Sequence, residues 1–317
     1  MKIYKYTPYN PIESKNTAIA LGFFDGVHLA HRDLLKKTKA IAEKENLVFA
    51  VFTFPSEDNF KGEEKLYSTE EKLSLMEDIG VDAVIWADFK SVSRIPAEKF
   101  VKSSLIGDMH CQAAVAGYDF RFGKDALGNA DLLASLFLSQ GAKCLIEEEQ
   151  KIGNEKISTT KIKSLLREGN AEDARRFLGV PYFIKTKVTH GLGLGNKLGF
   201  PTVNSNFASF TPPLKKGVYR TAVDISGKLY SGITNVGICP TFGKRELHAE
   251  TFIIDYSGDL YGTDIRIFFL GYIRDEKQFN SENELILQIK VDKNETINKN
   301  GELTWQAIGL NSQQQET

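Results

Sequence analysis

The chain has 317 residues, of which 42% are hydrophobic and 26% are charged, and its formal net charge is −1. These values predict a soluble globular protein of about two domains, and they exclude the basic footprint of nucleic-acid binding and a polybasic membrane signal. Residues 1–10 lack the apolar core of a signal peptide, and no apolar run approaches the ~18 residues of a membrane span.

The first half of the chain alternates short apolar runs with amphipathic segments. Strands are predicted at Thr17–Leu21, Asn46–Phe54, Val81–Phe89, Cys111–Gly117 and Lys143–Glu147. Helices are predicted after His28, at Thr69–Ile79 behind a Ser68–Glu71 capping box, near Pro96–Ile106, at Asp131–Gln140, and as a closing pair at Thr159–Arg167 and Ala171–Leu178. This alternation indicates βαβ units and a parallel sheet, which binds ligands at the carboxyl ends of its strands.

The hydrophobic period changes to two from Tyr182 onward. Short strands separated by Gly, Asn, Asp or Ser turns predict a compact antiparallel barrel, followed by a helix at Glu282–Val291. Beyond Asp292 the composition is polar and predicts a mobile tail, with Trp305 and Ile308 as its only anchors. The predicted domains are therefore residues 1–180, residues 181–292 and a polar C-terminal tail, residues 293–317.

The three cysteines, Cys111, Cys144 and Cys239, are far apart and form no Cys-x-x-Cys pair. Scattered thiols in apolar or strand-like runs are typical of buried core residues in a reducing compartment, and not of disulfides or zinc ligands. The sequence therefore predicts a cytoplasmic protein.

Residues 17–31, TAIALGFFDGVHLAH, combine a buried strand, a glycine-bounded turn and a helix start. His28 and His31 lie three residues apart at that start, on one face of the helix. Backbone N–H groups and the helix dipole favour an anion there, and two imidazoles can donate to a phosphate. The residues alone leave two interpretations open, a phosphate-handling site or a histidine that merely caps the helix.

Two further segments can be read in two ways. In Gly117–Gly123, GYDFRFG, the aromatic side chains of Phe120 and Phe122 fit either against a planar ring or into the core. In residues 157–163, ISTTKIK, the hydroxyls of Ser158 and Thr159 fit either a helix cap or, with Lys161, a triphosphate.

The string GFFDGVHLAH resembles the flavin adenylyltransferase form of the His-x-Gly-His nucleotidyltransferase motif, and the GYDFRFG and ISTTKIK segments resemble the same family. The resemblance implies that His28 and His31 stabilise the α-phosphate. It implies nucleotide contacts from Gly22, Phe23, Asp25, Ser158, Thr159, Thr160, Lys161 and Lys163, and flavin contacts from Asp119, Phe120, Arg121 and Phe122.

The chain departs from this family pattern at three places. Ala30 replaces the glycine between the histidines, and Lys163 replaces an arginine. After Thr53-Phe54 the chain continues Pro55-Ser56-Glu57-Asp58, where the family tends to have x-Pro-His-Pro. The added methyl group, the loss of a bidentate fork and the added acids each work against triphosphate binding. The predicted adenylyl transfer is thus less secure than the kinase activity inferred from the second half.

In residues 199–204, GFPTVN, Pro201 restricts the backbone, and Thr202 and Asn204 alternate onto one face with oxygen ligands suited to Mg2+. The residues alone also fit strand-end turn formers. The string resembles the riboflavin kinase motif Gly-Phe-Pro-Thr-Ala-Asn, which implies that Thr202 and Asn204 hold the magnesium–nucleotide.

Other barrel segments match the same kinase family. Glu250 corresponds to the glutamate that acts as general base on the riboflavin 5′-hydroxyl, with Phe252 where the family has histidine. The resemblance also implies flavin contacts from Asn235 and Arg274. Nucleotide contacts are implied for Gly195 and Lys197, in a glycine-rich loop where Asn196 replaces an arginine that the family often has.

The resemblance runs from about residue 15 to 292, and the chain is identified as a member of the bacterial bifunctional riboflavin kinase / FMN adenylyltransferase (FAD synthetase) family. It implies an α/β nucleotidyltransferase domain of the His-x-Gly-His type, with a parallel sheet, followed by an antiparallel β-barrel riboflavin kinase domain with a C-terminal helix. The expected ligands are Mg2+, ATP, riboflavin, FMN and FAD.

Two alternatives stay open. One is a monofunctional riboflavin kinase with an inactive adenylyltransferase domain, and the other is a flavin-binding regulator without turnover. The expected partners are small-molecule substrates, with no nucleic acid and no membrane. The sequence leaves undetermined the oligomeric state, the transfer of FMN between sites and the role of residues 293–317.

Overall fold

The computed structural model describes residues 1–56, 65–189, 202–206, 213–241 and 244–310, with the backbone alone for residues 206, 239–241 and 244–246. The chain forms two compact units, Met1–Ile157 and Ser158–Thr317, called here the first and the second unit. The predicted domain limits stay a prediction. The two helices predicted at the end of the first domain, Thr159–Arg167 and Ala171–Leu178, lie in the second unit.

The first unit contains a six-stranded sheet in the order β1-β4-β3-β2-β5-β6, in which every neighbouring pair is parallel. Its strands are β1 (Lys2–Tyr6), β2 (Thr17–Leu21), β3 (Val48–Thr53), β4 (Ala83–Ala87), β5 (Cys111–Gly117) and β6 (Lys143–Glu147). A small antiparallel hairpin follows, formed by β7 (Lys151–Ile152) and β8 (Glu155–Lys156). The predicted parallel sheet is confirmed, and β1 is an edge strand that the sequence pattern did not indicate.

The helices of the first unit are α1 (Leu29–Glu45), α2 (Thr69–Ile79), α3 (Phe89–Val92), α4 (Ala97–Lys99) and α5 (Ala130–Ser139), with a 3-10 turn at Lys124–Ala126. The capping box of α2 is confirmed, because Ser68 Oγ accepts from Glu71 N at 3.2 Å and Glu71 Oε2 accepts from Ser68 N at 2.8 Å. Gly80 ends this helix in the left-handed conformation, with φ 86°. The helix predicted near residue 96 is also present, but α4 continues as a π-helix over Phe100–Asp108.

The core of the first unit lies on both faces of the sheet. Every residue of β2 and β4 is buried, as expected for parallel strands covered on both sides. Cys111 is buried in the neighbouring strand, and burial raises the pKa of its thiol. Cys144 is partly buried, and both cysteines are free thiols.

The second unit begins with α6 (Thr159–Arg167) and α7 (Ala171–Leu178) and continues as a six-stranded antiparallel sheet in the order β10-β13-β12-β11-β14-β9. Its strands are β9 (Tyr182–Lys187), β10 (Thr202–Asn206), β11 (Gly217–Ile225), β12 (Lys228–Thr241), β13 (Lys244–Ile253) and β14 (Asp264–Arg274). The two edges of this sheet meet where Thr189 N donates to Asn204 O at 3.3 Å. The curled antiparallel architecture confirms the predicted barrel.

The last helix, α8, spans Glu282–Asn300 and so extends nine residues beyond its predicted end at Val291. The prediction of a mobile tail from residue 293 is therefore wrong for residues 293–300. Trp305 and Ile308 are anchors as predicted, since Trp305 Nε1 donates to Gly227 O at 3.0 Å and Ile308 is buried. The extent of α8 was missed because its buried side chains, Asp292 and Thr296, are polar.

Candidate functional site

The predicted histidine pair lies at the N-terminus of α1, directly after the turn that follows β2. His28 is the N-cap, and its Nδ1 accepts from His31 N at 3.4 Å. The two imidazole rings stack with centroids 3.7 Å apart and planes 9° apart, and Phe24 packs edge-on against His31 at 5.1 Å. His28 thus caps the helix through Nδ1, which leaves Nε2 as the protonated donor of the neutral ring.

Both imidazoles are held in the neutral form. Burial lowers the pKa of His28 to about 4, and the positive charge of Lys156 acts in the same direction. Burial also lowers the pKa of His31 well below its ordinary value, with further contributions from His28 and Lys72. At neutral pH the pair therefore presents N–H donors rather than positive charges. His31 Nδ1 is buried without a hydrogen-bond partner among the described residues.

The turn before the histidines is fixed by a buried lysine that sequence reasoning missed. Lys72 Nζ donates to Phe23 O at 3.0 Å, to Phe54 O at 2.6 Å and to Thr53 Oγ1 at 3.3 Å. Thr53 Oγ1 also donates to Phe23 O at 2.8 Å. The sequence did contain a signal for its burial, because Lys72 lies one helical turn before Leu75, on the stripe of α2 that the helical period predicts to be buried.

Asp25 and Gly26 give the turn its shape. Asp25 Oδ1 accepts from Leu66 N at 3.0 Å, which ties the turn to the chain entering α2. Gly26 has φ 86°, and a Cβ there would lie 2.6 Å from Leu66 Cδ1, so this position requires glycine. At Gly22 a Cβ would lie 3.0 Å from the ring of Phe24. A nucleotide contact from Gly22, Phe23 or Asp25 stays a prediction.

The loop after β5 leaves the same edge of the sheet as the histidine turn, because β2 and β5 are neighbours with Leu21 opposite Ala116. The predicted flavin residues divide into two groups. Asp119 and Arg121 are exposed and Phe120 is half-buried, whereas Phe122 is buried and packs on Phe100 with ring centroids 5.6 Å apart. Phe122 thus belongs to the core, and Phe120 is partly exposed and packs against it. Asp119 and Arg121 lie on the open side of the loop.

The β7–β8 hairpin is joined to this loop through charged groups. Tyr118 OH donates to Glu149 Oε1 at 2.8 Å, and Lys156 contacts Tyr118 OH, Glu149 and Asp119. The hydrogen bond from Tyr118, with those from the two lysines, Lys151 and Lys156, lowers the pKa of Glu149 to about 2. The positive charge of Lys156, which this network holds in place, is close enough to His28 to help lower its pKa.

The segment Ser158–Lys163 opens α6 in the second unit. Ser158 Oγ accepts from Lys161 N at 3.3 Å, so the predicted helix cap is confirmed. Lys163 is buried, Thr159 and Lys161 are half-buried, and Thr160 is exposed. Nucleotide contacts from Ser158, Thr159, Thr160, Lys161 and Lys163 stay predictions.

The predicted kinase residues of the barrel fall into a single cross-strand row. Asn204 of β10 is opposite Glu250 of β13, which is opposite Asn235 of β12. Asn235 is opposite Val218 of β11, which is opposite Arg274 of β14. Directly opposed side chains in a sheet point to the same face, so the strand pairing brings these residues together.

Thr202 lies two residues before Asn204 and therefore on the same face, opposite Phe252. Phe252 packs with the apolar cluster of Val218, Ile233 and Ile254. Gly195 and Lys197 lie outside the described residues.

Arg274 is engaged by an acid of α8 that the sequence did not single out. Its Nη2 donates to Asp292 Oδ2 at 2.8 Å, and its Nε lies 3.2 Å from both carboxylate oxygens. Gln288 Nε2 donates to Asp292 Oδ1 at 2.9 Å. Asp292 is buried, so α8 is held against the end of the row by a charged, bidentate contact.

Among the residues that the structure describes, no three His, Cys, Asp or Glu side chains are grouped to hold a metal ion. The oxygen donors of Thr202 and Asn204 fit a hard cation that also binds substrate phosphates, which needs few protein ligands. No described helix is both long and apolar enough to cross a lipid bilayer.

The family model described as riboflavin kinase matches residues 178–299, and the one described as FAD synthetase matches residues 10–161. The bifunctional riboflavin kinase/FMN adenylyltransferase of Bacillus subtilis (strain 168) is 35% identical over 90% of this chain and 93% of its own length. The protein of the same name from Listeria monocytogenes is 34% identical over 89% of this chain and 91% of its length. That of Escherichia coli (strain K12) is 32% identical over 87% of this chain and 90% of its length.

A crystal structure of a macrolide-efflux protein from Streptococcus pneumoniae has the same fold. It matches with a TM-score of 0.83 at 28% sequence identity, covering 94% of this chain and 99% of that chain.

The first unit has a parallel sheet and a histidine pair at a helix start, and the second has a barrel with a polar cross-strand row. These features define a two-unit phosphorus-group transferase. The extent and identity of the matches then place the chain within this class. It belongs to the family of bifunctional riboflavin kinase/FMN adenylyltransferases.

Proposed function

We propose that this chain phosphorylates riboflavin to FMN in its barrel and adenylylates FMN to FAD in its α/β unit, with ATP as the donor in both steps. The observation that carries the proposal is the cross-strand row, in which Asn204, Glu250 and Asn235 lie directly opposite one another on three neighbouring strands. Pairing alone brings a carboxylate and amide groups, which are far apart in the sequence, to one face.

In the kinase step, Glu250 is the general base. Its carboxylate takes the proton of the riboflavin 5′-hydroxyl while that oxygen bonds to the γ-phosphorus and the bond to the ADP oxygen breaks. The side chain is 43% exposed, which leaves it accessible to a substrate. Thr202 and Asn204 would hold Mg2+, which when bound neutralises charge on the phosphates. Asn235 and Arg274 would contact the flavin from the same row, with Asp292 orienting the guanidinium.

In the adenylyl step, the FMN phosphate oxygen attacks the α-phosphorus of ATP and pyrophosphate leaves, without a covalent enzyme intermediate. The neutral rings of His28 and His31 donate from Nε2 to the charge that develops on the α-phosphate. The helix N-terminus adds its free N–H groups and dipole. Asp119, Phe120 and Arg121 would contact the flavin from the loop at the same sheet edge.

Ala30 is compatible with this site. It lies in the first turn of α1 with helical geometry, so its methyl group introduces no backbone strain. The departure from glycine therefore leaves the backbone of the histidine turn unchanged, and its effect on the approach of a triphosphate is measured by the rate of FAD formation. A cytoplasmic location belongs to the same proposal, because free thiols and ATP-dependent chemistry fit a reducing, ATP-containing compartment.

The test is a product time course with the full-length chain, riboflavin, ATP and Mg2+, in which flavins are separated by chromatography. We expect FMN to form first and FAD to follow. FMN that accumulates without FAD, even when FMN is supplied directly, would reduce the chain to a monofunctional kinase. Unchanged riboflavin from a folded protein would contradict the proposal and favour a flavin-binding regulator.

A further inference from the structure

One histidine of the barrel contacts the proposed base and has no role in the chemistry described so far. His248 lies two residues before Glu250 on β13, so both side chains point to the same face. The distance from His248 Nε2 to Glu250 Oε1 is 3.5 Å. The His248 side chain is 16% exposed, whereas that of Glu250 is 43% exposed. A mostly buried ring therefore lies beside a more exposed carboxylate.

The next side chain of β13 on the same face as Glu250 is apolar. Phe252, two residues further along the strand, packs into the apolar cluster described above. Among the described residues, the ion-pair contact of Glu250 is with the imidazole of His248. The carboxylate has a nitrogen donor on one side and an aromatic ring on the other.

The residue opposite His248 on β12 has no side chain, and an acidic residue covers it. This residue is Gly237, and a Cβ there would overlap the carboxylate of Glu276. Glu276 therefore lies against Gly237, beside Asn235. His248 is thus opposite a glycine that a carboxylate covers, and its ring is beside the carboxylate of Glu250, whose rotation an N–H from His248 restricts.

We propose that His248 is a positioning residue for the kinase step. Its Nε2–H holds Oε1 of Glu250, so that Oε2 is directed to take the proton of the riboflavin 5′-hydroxyl. A general base works only within hydrogen-bond reach of its proton, and a misplacement of about 1 Å can cost 10²-fold in rate. The inference rests on the proposed function, in which Glu250 is the base.

The experiment compares His248→Leu, His248→Gln, Glu250→Gln and the double variant Glu250→Gln/His248→Leu in the full-length chain. Leucine removes the donor, whereas the glutamine amide keeps one. FMN formation is measured for kcat and KM, and adenylylation of supplied FMN, in the first unit, is the internal control. His110→Gln, at the start of β5, is the matched histidine control. Circular dichroism and thermal unfolding confirm that each variant folds.

We expect His248→Leu to lower the kinase kcat about tenfold or more, with KM values within about twofold, because the lost donor leaves the base misaligned. His248→Gln should stay within about threefold of wild type, because its amide still donates. The double variant should be no slower than Glu250→Gln, since His248 acts through that carboxylate.

Three outcomes would overturn the inference: a wild-type kcat in His248→Leu, a His248→Gln as slow as His248→Leu, or full additivity in the double variant. A different result tests the proposed function itself. If Glu250→Gln keeps the wild-type kinase rate, Glu250 is not the base, and the assignment of the site fails together with the inference.

Discussion

Replacing Lys72 with methionine removes the group that holds the histidine turn. The lysine side chain is fully buried, and methionine has a similar length without a donor. Phe54 O and Phe23 O then each lose the hydrogen bond from Lys72 Nζ, and the hydrogen bond from Thr53 to Phe23 O remains. A hydrogen bond from a charged donor contributes about 1.5–3 kcal/mol, and removing a buried charge offsets part of the loss, so the substitution lowers the free energy of unfolding of the first unit by about 2–4 kcal/mol.

The same change should reduce adenylyl transfer more than kinase activity, because Phe23 begins the turn that places His28. Urea unfolding is measured by the fluorescence of Trp86, whose ring centroid lies 5.3 Å from Lys72 Nζ. All variants carry Trp305→Phe, so that Trp86 is the single tryptophan. FAD formation from supplied FMN and FMN formation from riboflavin are measured in the same preparations.

Lys36→Met is the matched control, since the Lys36 side chain is 69% exposed on α1 and forms a weak contact with Asp33. Its free energy of unfolding should stay within about 0.5 kcal/mol of the background. A Lys72→Met variant with background stability and an unchanged rate of FAD formation would show that the buried lysine does not hold the turn.

Three further changes test the sites. His28→Ala should abolish FAD formation and spare FMN formation, and an equal loss of both in a folded variant would refute the division of labour. Burial lowers the pKa of His28 from 6.5 to about 4, so between these pH values the unfolded chain binds a proton at this residue and the folded chain does not. The free energy of unfolding is therefore fully retained above about pH 6.5 and falls by about 3 kcal/mol as the pH is lowered toward 4. Thermal unfolding between pH 7 and 4.5 should show a smaller loss in His28→Asn, and identical curves would contradict this origin. Asp292→Asn weakens the bidentate contact with Arg274, so it should lower both the urea midpoint and the kinase activity, with a loss of about 2 kcal/mol in the free energy of unfolding. An unchanged midpoint together with unchanged kinase activity would show that this contact does not support the kinase site.

Short-range patterns predicted the parts of this molecule whose partners are close in the sequence. The capping box of Ser68 and Glu71 spans a single helical turn, and α2 begins and ends where the sequence indicates. His28 and His31 stack because residues three apart on a helix are neighbours. In each case the interacting groups and the backbone geometry that joins them lie within a few residues.

Long-range pairing decided what the sequence pattern missed. The edge strand β1 carries mostly exposed side chains, and its pairing partner β4 lies about 80 residues further along the chain. The polar face of α8 docks through Asp292 onto Arg274, and no hydrophobic period marks such a face. The structure also shows that Phe122 belongs to the core, a choice that the residues alone left open.

The sequence by itself therefore determined the two architectures and the histidine pair, because hydrophobic period and helix spacing are local properties. The tertiary structure decided that Asn204, Glu250 and Asn235 form one row, because the register between strands depends on packing across the whole sheet. It also decided which polar residues are buried and paired, as with Lys72 and His248. A polar side chain has the same sequence signature whether it is solvated or buried, and only its neighbours in space distinguish the two.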